Sequence, residues 1–426
     1  MKKTICLAAI LALGLALNGF AANKDGLRVG AALRVVTPNP LLPVSGGIGE
    51  PEPVTNQIGD LFARAMVLEK GGTRVAIVGM DFLGWPGVLG DRIRAKVKDI
   101  PPENILIGVT HTHSAPDAYA FADEQGRHGA DLKYLDWVCQ QAADAINEAV
   151  SKLEPAVLKS AVGNAEGKIA YNYYAPQLYD PRCGVIQALA TKGKNKGKPI
   201  VTMVNYASHP EVIGNDQGIL SPDFCGPLYD RIEAATGGMA MYMNGAQGGM
   251  VTADCRGPNG DVQTWEECVR IGELLANEAL RIVEKAPVQE DPTLYCASKI
   301  ITFPLDSPLL RAVLDHSPLG YSFNADNTVS TRLNLINLGT AQMLTIPGEA
   351  LPNIGFYVKR HMPTKQSFLL GLTNDAFGYM LAKVDWNSFK RYDYISRTGL
   401  GEMTGEIYME QALALVEASP KPDGAQ

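Results

Sequence analysis

The sequence has no excess of positive charge, no proline- or serine-rich linker, no internal repeat and no low-complexity segment. Its 38 lysines and arginines stand against 45 aspartates and glutamates, which gives a net charge of −7 at pH 7. Nucleic acids and anionic membranes select basic protein faces, so this balance argues against either partner. With 46% hydrophobic residues over 426 positions, the composition is globular and the chain is long enough for one large core or two medium ones.

Several short metal and cofactor motifs are also absent. The seven cysteines contain no Cys-x-x-Cys pair, and the sequence has neither a His-Glu-x-x-His segment nor a glycine-rich phosphate loop. These absences remove the usual local evidence for a structural zinc site, a redox dithiol, a zinc protease or a nucleotide site. A chain of this size needs no disulfide, so we expect buried free thiols with one bridge at most.

The amino terminus predicts export from the cytoplasm. Lys2 and Lys3 precede the apolar run Ile5–Leu17, and Gly19-Phe20-Ala21 offers a small-residue cleavage site. The run is too short for a comfortable membrane span, and no cysteine ends it as a lipid anchor would require. We therefore predict a signal peptide at residues 1–21, cleavage near Ala21, a secreted or periplasmic location and no transmembrane anchor.

Strand-like and helix-like stretches alternate through the rest of the sequence. Lys70-Gly71-Gly72-Thr73 joins two apolar runs as a hairpin turn, and Ser221-Pro222-Asp223 is a helix-start signal. The longest stretch without a predicted element is Pro304–Thr331, and a domain boundary there is the alternative to one domain. We favour a single catalytic-type domain over residues 22–426, of α/β class with mixed β-sheets. Helices are predicted at Val88–Lys98, Leu132–Leu153, Trp265–Glu284 and Glu406–Val416.

Three of the six histidines follow predicted buried strands. His111 and His113 come directly after the apolar strand Ile105–Val109, and His209 follows the strand Ile200–Tyr206. The carboxyl ends of strands are common positions for catalytic groups in α/β folds. In an extended chain the side chains of His111 and His113 project to the same side, about 6.5–7 Å apart. One could bind a metal while the other stands over the substrate; a simple hydrogen-bonded pair is the alternative.

Three other segments repeat this pattern and allow two interpretations each. Glu349 follows a strand and a Pro-Gly turn, where it could equally be a helix first-turn acid. Tyr379 comes after the strand Phe368–Leu372 and by itself is typical of a core tyrosine. The strand Met239–Met243 opens into Asn244–Met250, whose glycines could expose N–H groups to an oxyanion or could form a crowded turn.

In their order along the chain, these segments resemble the catalytic domain of the neutral ceramidases, the neutral/alkaline, non-lysosomal family of secreted or membrane-surface zinc amidases. The resemblance spans roughly Leu27 to Glu417 and implies layered mixed β-sheets flanked by helices. The Thr-His-Thr-His and Pro-Gly-Glu pieces are the most specific. The matching segments are Gly108–Pro116, Asn205–His209, Leu220–Asp223, Ile346–Glu349 and Asn374–Tyr379.

The resemblance also implies a metal centre with catalytic neighbours. Two imidazoles and two oxygens suit zinc. His113 would lie beside the metal, as a proton shuttle or a stabiliser of the oxyanion. The tyrosine that faces the reacting carbonyl would be Tyr392, with Tyr394 as the alternative. The implied Zn²⁺ ligands are His111, His209, Glu349 and Tyr379.

The chain departs from the family where the substrate would bind. A Gly-Asp-x-Ser stretch of the family is replaced here by Gly245-Ala246-Gln247-Gly248, so Gly248 stands at the serine position. A substrate-binding arginine of the family is replaced near Asn172-Tyr173-Tyr174, and we expect no counterpart of the family's carboxyl-terminal β-sandwich. The candidate substrate-binding residues are therefore Gly245, Gln247, Gly248, Asn172 and Tyr173.

These observations favour a secreted zinc-dependent hydrolase that cleaves an amide or related acyl bond of a small molecule by attack of metal-activated water. The changed turn and the missing arginine make a polar or carbohydrate-linked acyl substrate the alternative to ceramide. A degenerate family member that binds a ligand without catalysis is the third hypothesis. The sequence leaves the substrate and the oligomeric state open.

Overall fold

Two β-sheets pack face to face between outer layers of helices in the computed structural model, which describes residues 26–425. The predicted signal peptide lies outside that range. The predicted α/β class with layered mixed sheets is confirmed.

The larger sheet has eight strands. They are β1 (Arg28–Val35), β2 (Phe62–Lys70), β3 (Thr73–Met80), β4 (Ile105–Val109), β5 (Glu154–Asn164), β6 (Arg182–Ala190), β7 (Pro199–Tyr206) and β8 (Met239–Asn244). Across the sheet their order is β8-β7-β6-β5-β1-β2-β3-β4. The pairs β3–β4 and β7–β8 are parallel, and the other pairs are antiparallel.

The smaller sheet has four strands, and five short strand pairings link loops outside the two main sheets. The strands, in sheet order, are β9 (Leu294–Pro304), β10 (Thr328–Leu338), β11 (Ala341–Thr345) and β12 (Ser367–Leu370). Only the pair β11–β12 is parallel. The short pairings are Val44–Ser45 with Ala115–Pro116, Asn56–Gln57 with Ile219–Leu220, Ala170–Asn172 with Val251–Ala253, Arg256–Gly257 with Gly260–Asp261, and Glu349–Ala350 with Tyr379–Met380.

Helices cover the outer face of each sheet. Over the described range they are α1 (Gly87–Arg94), α2 (Leu132–Ser151), α3 (Cys225–Thr236), α4 (Trp265–Glu284), α5 (Pro308–Asp315), α6 (Pro352–His361), α7 (Asp393–Arg397) and α8 (Thr404–Ala418). Helices α1 to α4 pack on the larger sheet, whereas α5, α6 and α8 pack on the smaller one. None of the described helices is both long and apolar enough to cross a membrane.

Alternate residues of the larger sheet face opposite layers, as the two-residue period of a strand requires. In β2, Ala65 and Val67 pack toward α1 and α2, while Met66 packs between the sheets with Met343 and Phe368. The hydrophobic core therefore lies in layers on both sides of the larger sheet.

The two edges of the larger sheet approach each other. Gly79 of β3 lies against β8, where a Cβ would be 2.8 Å from the carbonyl oxygen of Tyr242. Gly108 of β4 would place a Cβ 2.6 Å from the methyl group of Met243. Since glycine has no Cβ, these strands can approach closely, and the carboxyl ends of β4 and β8 meet.

Most predicted elements are confirmed, and two are wrong. The helix Trp265–Glu284 and the hairpin turn at Lys70–Thr73 are present, and α1 ends at Arg94 rather than Lys98. The helix expected from Ser221-Pro222-Asp223 begins only at Cys225. The stretch Pro304–Thr331, expected to lack elements, contains α5. The cysteines agree with the expectation, since all six within residues 26–425 are free.

Candidate metal centre

The ends of four strands converge at one point of the molecule. The side-chain amide of Asn244, at the end of β8, donates to the carbonyls of Thr110 and Ser208, each at 2.9 Å, and so joins the loops after β4 and β7. Gly371, just after β12, donates its N–H to the Asn244 carbonyl at 2.9 Å. Three of the predicted metal ligands, His111, His209 and Tyr379, follow β4, β7 and β12, and Glu349 follows β11.

Backbone carbonyls fix the orientation of two of the histidines. His111 adopts a φ of 73°, and its N–H bonds to the Phe82 carbonyl at 3.0 Å while its Nδ1 bonds to the Leu83 carbonyl. His209 bonds to the Val251 carbonyl through its N–H at 2.9 Å and through Nδ1 at 2.7 Å. With Nδ1 donating to a carbonyl, Nε2 of each ring is left as the free ligand atom, which is how metal-binding histidines are usually held.

Glu349 faces both of these imidazoles. It begins the short parallel pairing with Tyr379, and its N–H donates to the Gly378 carbonyl at 2.8 Å. Its Oε2 lies 3.2 Å from Nε2 of His209 and 3.5 Å from Nε2 of His111. Three of the four predicted ligands therefore meet, although they are far apart in the sequence.

His113 lies beside this group and has a carboxylate partner of its own. Its Nδ1 is 3.4 Å from Oε2 of Glu211, and its ring centroid is 5.0 Å from that of His111 and 5.5 Å from that of His209. Ring nitrogens of the three histidines lie within 4.8 Å of one another, so this trio could also hold a metal ion.

Burial and neighbouring charges set the protonation of these groups. Burial raises the pKa of Glu349, but His111 and His209 outweigh it and hold that pKa well below its usual range. Burial lowers the pKa of His209, whereas Glu211 and Glu349 raise it, to about 9. Burial lowers the pKa of His113 to about 3, although Glu211 opposes the shift. At neutral pH Glu349 is therefore a carboxylate and His113 a neutral imidazole, the forms that bind a cation, whereas His209 is protonated and would release its Nε2 proton when a cation binds.

Unpartnered atoms show that these residues fit a cation. Nε2 of His113 is buried without a hydrogen-bond partner, and Nε2 of His209 and Oε2 of Glu349 are buried with only each other and the neighbouring imidazole within reach. Buried polar atoms are rarely left unsatisfied, and these three lie around one point. Imidazole nitrogens with a carboxylate are a donor set typical of zinc. The residues present are therefore suited to a divalent cation.

The tyrosines are placed differently from one another. Tyr379 is buried next to Glu349, but its hydroxyl lies 3.4 Å from Sδ of Met250 rather than bonding to an imidazole. Tyr394 lines the cavity at the centre, with its ring 5.9 Å from that of Tyr379. Tyr392 does not line that cavity; its ring packs on Tyr174 and Phe389 at the surface. Of the two tyrosines considered for the carbonyl, only Tyr394 is in position.

The predicted substrate-binding residues lie behind or beside the cavity, and none of them lines it. Gly248 packs against the backbone of Glu349, and its N–H donates to the Ala350 carbonyl at 3.0 Å. Gly245 packs on Ala207, and Gln247 is fully buried. Asn172 forms a turn by accepting from the N–H groups of Tyr174 and Ala175, and the side chain of Tyr173 is exposed.

A cavity of about 360 Å³ opens over the metal-binding group. One side of it is apolar and comes from the core beneath the smaller sheet. The apolar side chains that line it are Ile48, Phe121, Leu310, Leu314, Phe377 and Leu400. The polar side includes the three histidines, Glu211 and Glu349, so the cavity can receive a molecule with an apolar arm and a polar reactive group.

Sequence reasoning missed two acidic residues of this cavity, Glu211 and Asp375. Glu211 follows His209 by two positions in the same loop, and Asp375 ends a segment after β12. Both carboxylates follow a strand end, as the histidines do, so the same sequence pattern could have identified them.

Comparison with solved structures shows which known fold this chain resembles. No protein-family model and no curated protein matches the chain. The crystal structure of a neutral ceramidase from Pseudomonas aeruginosa is similar, with a TM-score of 0.75 and 15% identity, covering 95% of this chain and 77% of that chain. A ceramidase complexed with C2 is similar with a TM-score of 0.75 and 16% identity, covering 94% and 77%. The predicted neutral-ceramidase-like fold is confirmed at the level of the fold.

Proposed function

We propose that the chain is a zinc-dependent hydrolase that cleaves an amide or related acyl bond of a small molecule. One observation carries the proposal: His111, His209 and Glu349 come from three separate strand ends, and their buried ring nitrogens and carboxylate meet at one point in a cavity. A cation bound there would be coordinated by the buried carboxylate and by both Nε2 atoms, whose rings are already oriented through Nδ1.

The residues divide into a group that holds the metal and a group that handles the substrate. His111, His209 and Glu349 would hold Zn²⁺, with Tyr379 as the fourth ligand. A bound zinc ion would supply a Lewis acid for the scissile carbonyl and would lower the pKa of a water molecule toward neutrality. The carbonyls of Leu83 and Val251 keep two imidazoles in the ligating tautomer.

His113 and Tyr394 would handle protons and the carbonyl oxygen. Glu211 faces Nδ1 of His113, so this ring can keep a proton on Nδ1 and exchange one at Nε2. Tyr394 would donate its hydroxyl hydrogen to the substrate oxygen as negative charge develops there. Gly248 offers no hydroxyl at the serine position of the family, so water is the nucleophile we propose.

The apolar wall of the cavity supports a substrate with an apolar acyl arm. Leu310 and Leu314, on α5, and Phe377 form much of this wall. The predicted signal peptide would deliver the enzyme to the periplasm or the medium, where it would act on external acyl compounds.

Metal analysis with an activity assay tests the proposal. His111→Ala and His209→Ala should each lose the stoichiometric zinc found in the wild type, together with hydrolysis of a panel of N-acyl amines and N-acyl sugars. His361→Ala is the matched control, because His361 is exposed at the end of α6 and should keep both properties. Full zinc content in both site variants would contradict the metal assignment. Wild-type protein that binds zinc but cleaves nothing would favour the ligand-binding hypothesis.

A further inference from the structure

The charged groups that line the cavity are unbalanced. Glu211, Glu349 and Asp375 contribute carboxylates, and no lysine or arginine lines the cavity within the described part of the chain. A substrate with an anionic group would meet no lysine or arginine here. Glu349 is the carboxylate that faces the candidate metal ligands, so Glu211 and Asp375 remain to be considered as contacts for a substrate.

Asp375 is occupied by the protein itself. Its Oδ1 accepts the N–H of Gly87 at 2.9 Å, at the start of α1, and that of Ala376 at 3.1 Å. The residue is 6% exposed. These contacts make Asp375 part of the wall rather than a group that a substrate can reach.

Glu211 is the carboxylate that remains open to the cavity. Its side chain keeps 25% of its surface exposed, compared with 7% for Glu349. His113 and the hydroxyl of Thr252 hold it in place. A carboxylate that is both fixed and accessible is suited to bind a positive charge.

The surroundings of Glu211 are also suited to a cation. Asn215, Tyr379 and Tyr394 line the same cavity, and they offer an amide oxygen and two aromatic rings without positive charge. Asn215 is held against the backbone of Gly46, where a Cβ would overlap its side chain. Aromatic faces attract ammonium groups more strongly when water is excluded.

We propose that Glu211 selects substrates whose amine part carries a second, protonated nitrogen, such as a monoacylated diamine. The inference rests on the proposed hydrolase function. Water adds to the acyl carbon, the C–N bond breaks, and the leaving nitrogen takes a proton. The products are a carboxylic acid and a diamine, and no oxidant or further reactant is needed.

Three amides with the same hexanoyl group test this selectivity, namely those of putrescine, n-butylamine and γ-aminobutyrate. They present a cationic, a neutral and an anionic amine part of similar length. For the wild type we expect kcat/KM about 10-fold higher for the putrescine amide than for the butylamine amide, and lowest for the γ-aminobutyrate amide. Glu211→Gln should bring the first two values to within about 2-fold of each other.

The ratio of kcat/KM between the putrescine and butylamine amides separates recognition of the cation by Glu211 from an indirect effect on the position of His113. Poorer positioning of His113 would lower kcat/KM equally for all three amides. Loss of cation recognition would lower it only for the putrescine amide. Glu211→Asp should keep part of the preference, and Asp375→Asn should keep it fully. Hydrolysis of the putrescine and butylamine amides at equal efficiency by the wild type would overturn the inference and leave the hydrolase proposal intact. Zinc-loaded protein that cleaves none of the three amides, or any other acyl compound, would instead overturn the hydrolase proposal.

Discussion

Gly248 supports the candidate metal centre through the backbone of Glu349 and not through a side chain. A Cβ at this position would be 2.6 Å from the carbonyl carbon of Glu349. The space that a serine would occupy is therefore filled by the short strand that carries the ligand. At this position the absence of a side chain allows a close backbone contact.

The substitution Gly248→Ala should accordingly disturb both stability and metal binding. The added methyl group must push the backbone of Glu349 away, which should lower the free energy of unfolding by about 1–3 kcal/mol and reduce zinc affinity. Urea unfolding and metal titration measure the two effects. Gly26→Ala is the control, since no atom lies within 4 Å of a Cβ there. Unchanged zinc affinity in Gly248→Ala would refute this account.

Asp223 provides a pH-dependent test at the same scale. Burial raises its pKa from 3.8 to about 6, although the N–H groups of Ile213 and Phe224 oppose the shift. The folded state thus holds this proton more tightly than the unfolded state, so the contribution of Asp223 to stability falls as the pH rises from about 4 to about 6. Asn at this position does not titrate. The stability difference between wild type and Asp223→Asn, from urea unfolding, should therefore shrink between about pH 4.5 and pH 7; a constant difference would contradict the assignment.

The limits of sequence reasoning at this scale are visible in two neighbouring tyrosines. Tyr392 and Tyr394 flank one position at the start of α7, and residues two apart on a helix point in different directions. The sequence alone could not show which of them faces the cavity. The histidines were easier to identify because an apolar strand precedes each of them.

At the scale of elements, two Ser-Pro pairs show why a local sequence signal is insufficient to predict where a helix begins. Ser307 Oγ accepts the N–H of Leu310 at 3.2 Å and begins α5. Ser221 Oγ instead accepts the N–H of Asp223, which has a φ of 54°, and no helix starts there. The carboxylate of Asp223 is used to hold Ile213 at 2.8 Å, so a tertiary contact decides the backbone conformation.

Asn205 connects the two sheets, and its amide can be tested directly. Its Nδ2 lies at hydrogen-bond distance, 2.8–3.0 Å, from the carbonyls of Met243, Asn244 and Leu369. Asn205→Asp would replace this donor with an acceptor facing buried carbonyls and should destabilise the fold by about 3 kcal/mol or more. Asn195→Asp, in the exposed turn between β6 and β7, should change the urea midpoint little. Equal stability of the two variants would show that Asn205 does not connect the sheets.

At the scale of the whole molecule, the centre depends on how the sheets are arranged. His111 and Glu349 belong to different sheets, and they meet because the edges of the larger sheet approach each other and the smaller sheet packs beneath. The strands, their buried faces and the mixed α/β class follow from local patterns. Pairing across such distances along the chain does not, since no local pattern encodes the sheet order.

Metal removal should therefore weaken the entire fold. A ligand that binds only the folded state stabilises it by about 4 kcal/mol when present at a thousand times its Kd. Dialysis against a chelator should lower the Tm of the wild type by several degrees, and added zinc should restore it. His361→Ala should respond in the same way. His209→Ala should be insensitive to both treatments, and a wild-type Tm that ignores the chelator would exclude a cation that stabilises the fold.

The position of α5 has a consequence for how this scaffold could diversify. The helix lies in the connection between two antiparallel strands, β9 and β10, whereas His111, His209 and Glu349 follow β4, β7 and β11. Insertions or exchanges in this connection can lengthen, shorten or reshape the wall formed by Leu310 and Leu314 while the ligands keep their places. For the proposed hydrolase, the range of accepted acyl chains could therefore change, or be engineered by loop grafting, while the candidate metal ligands stay in place.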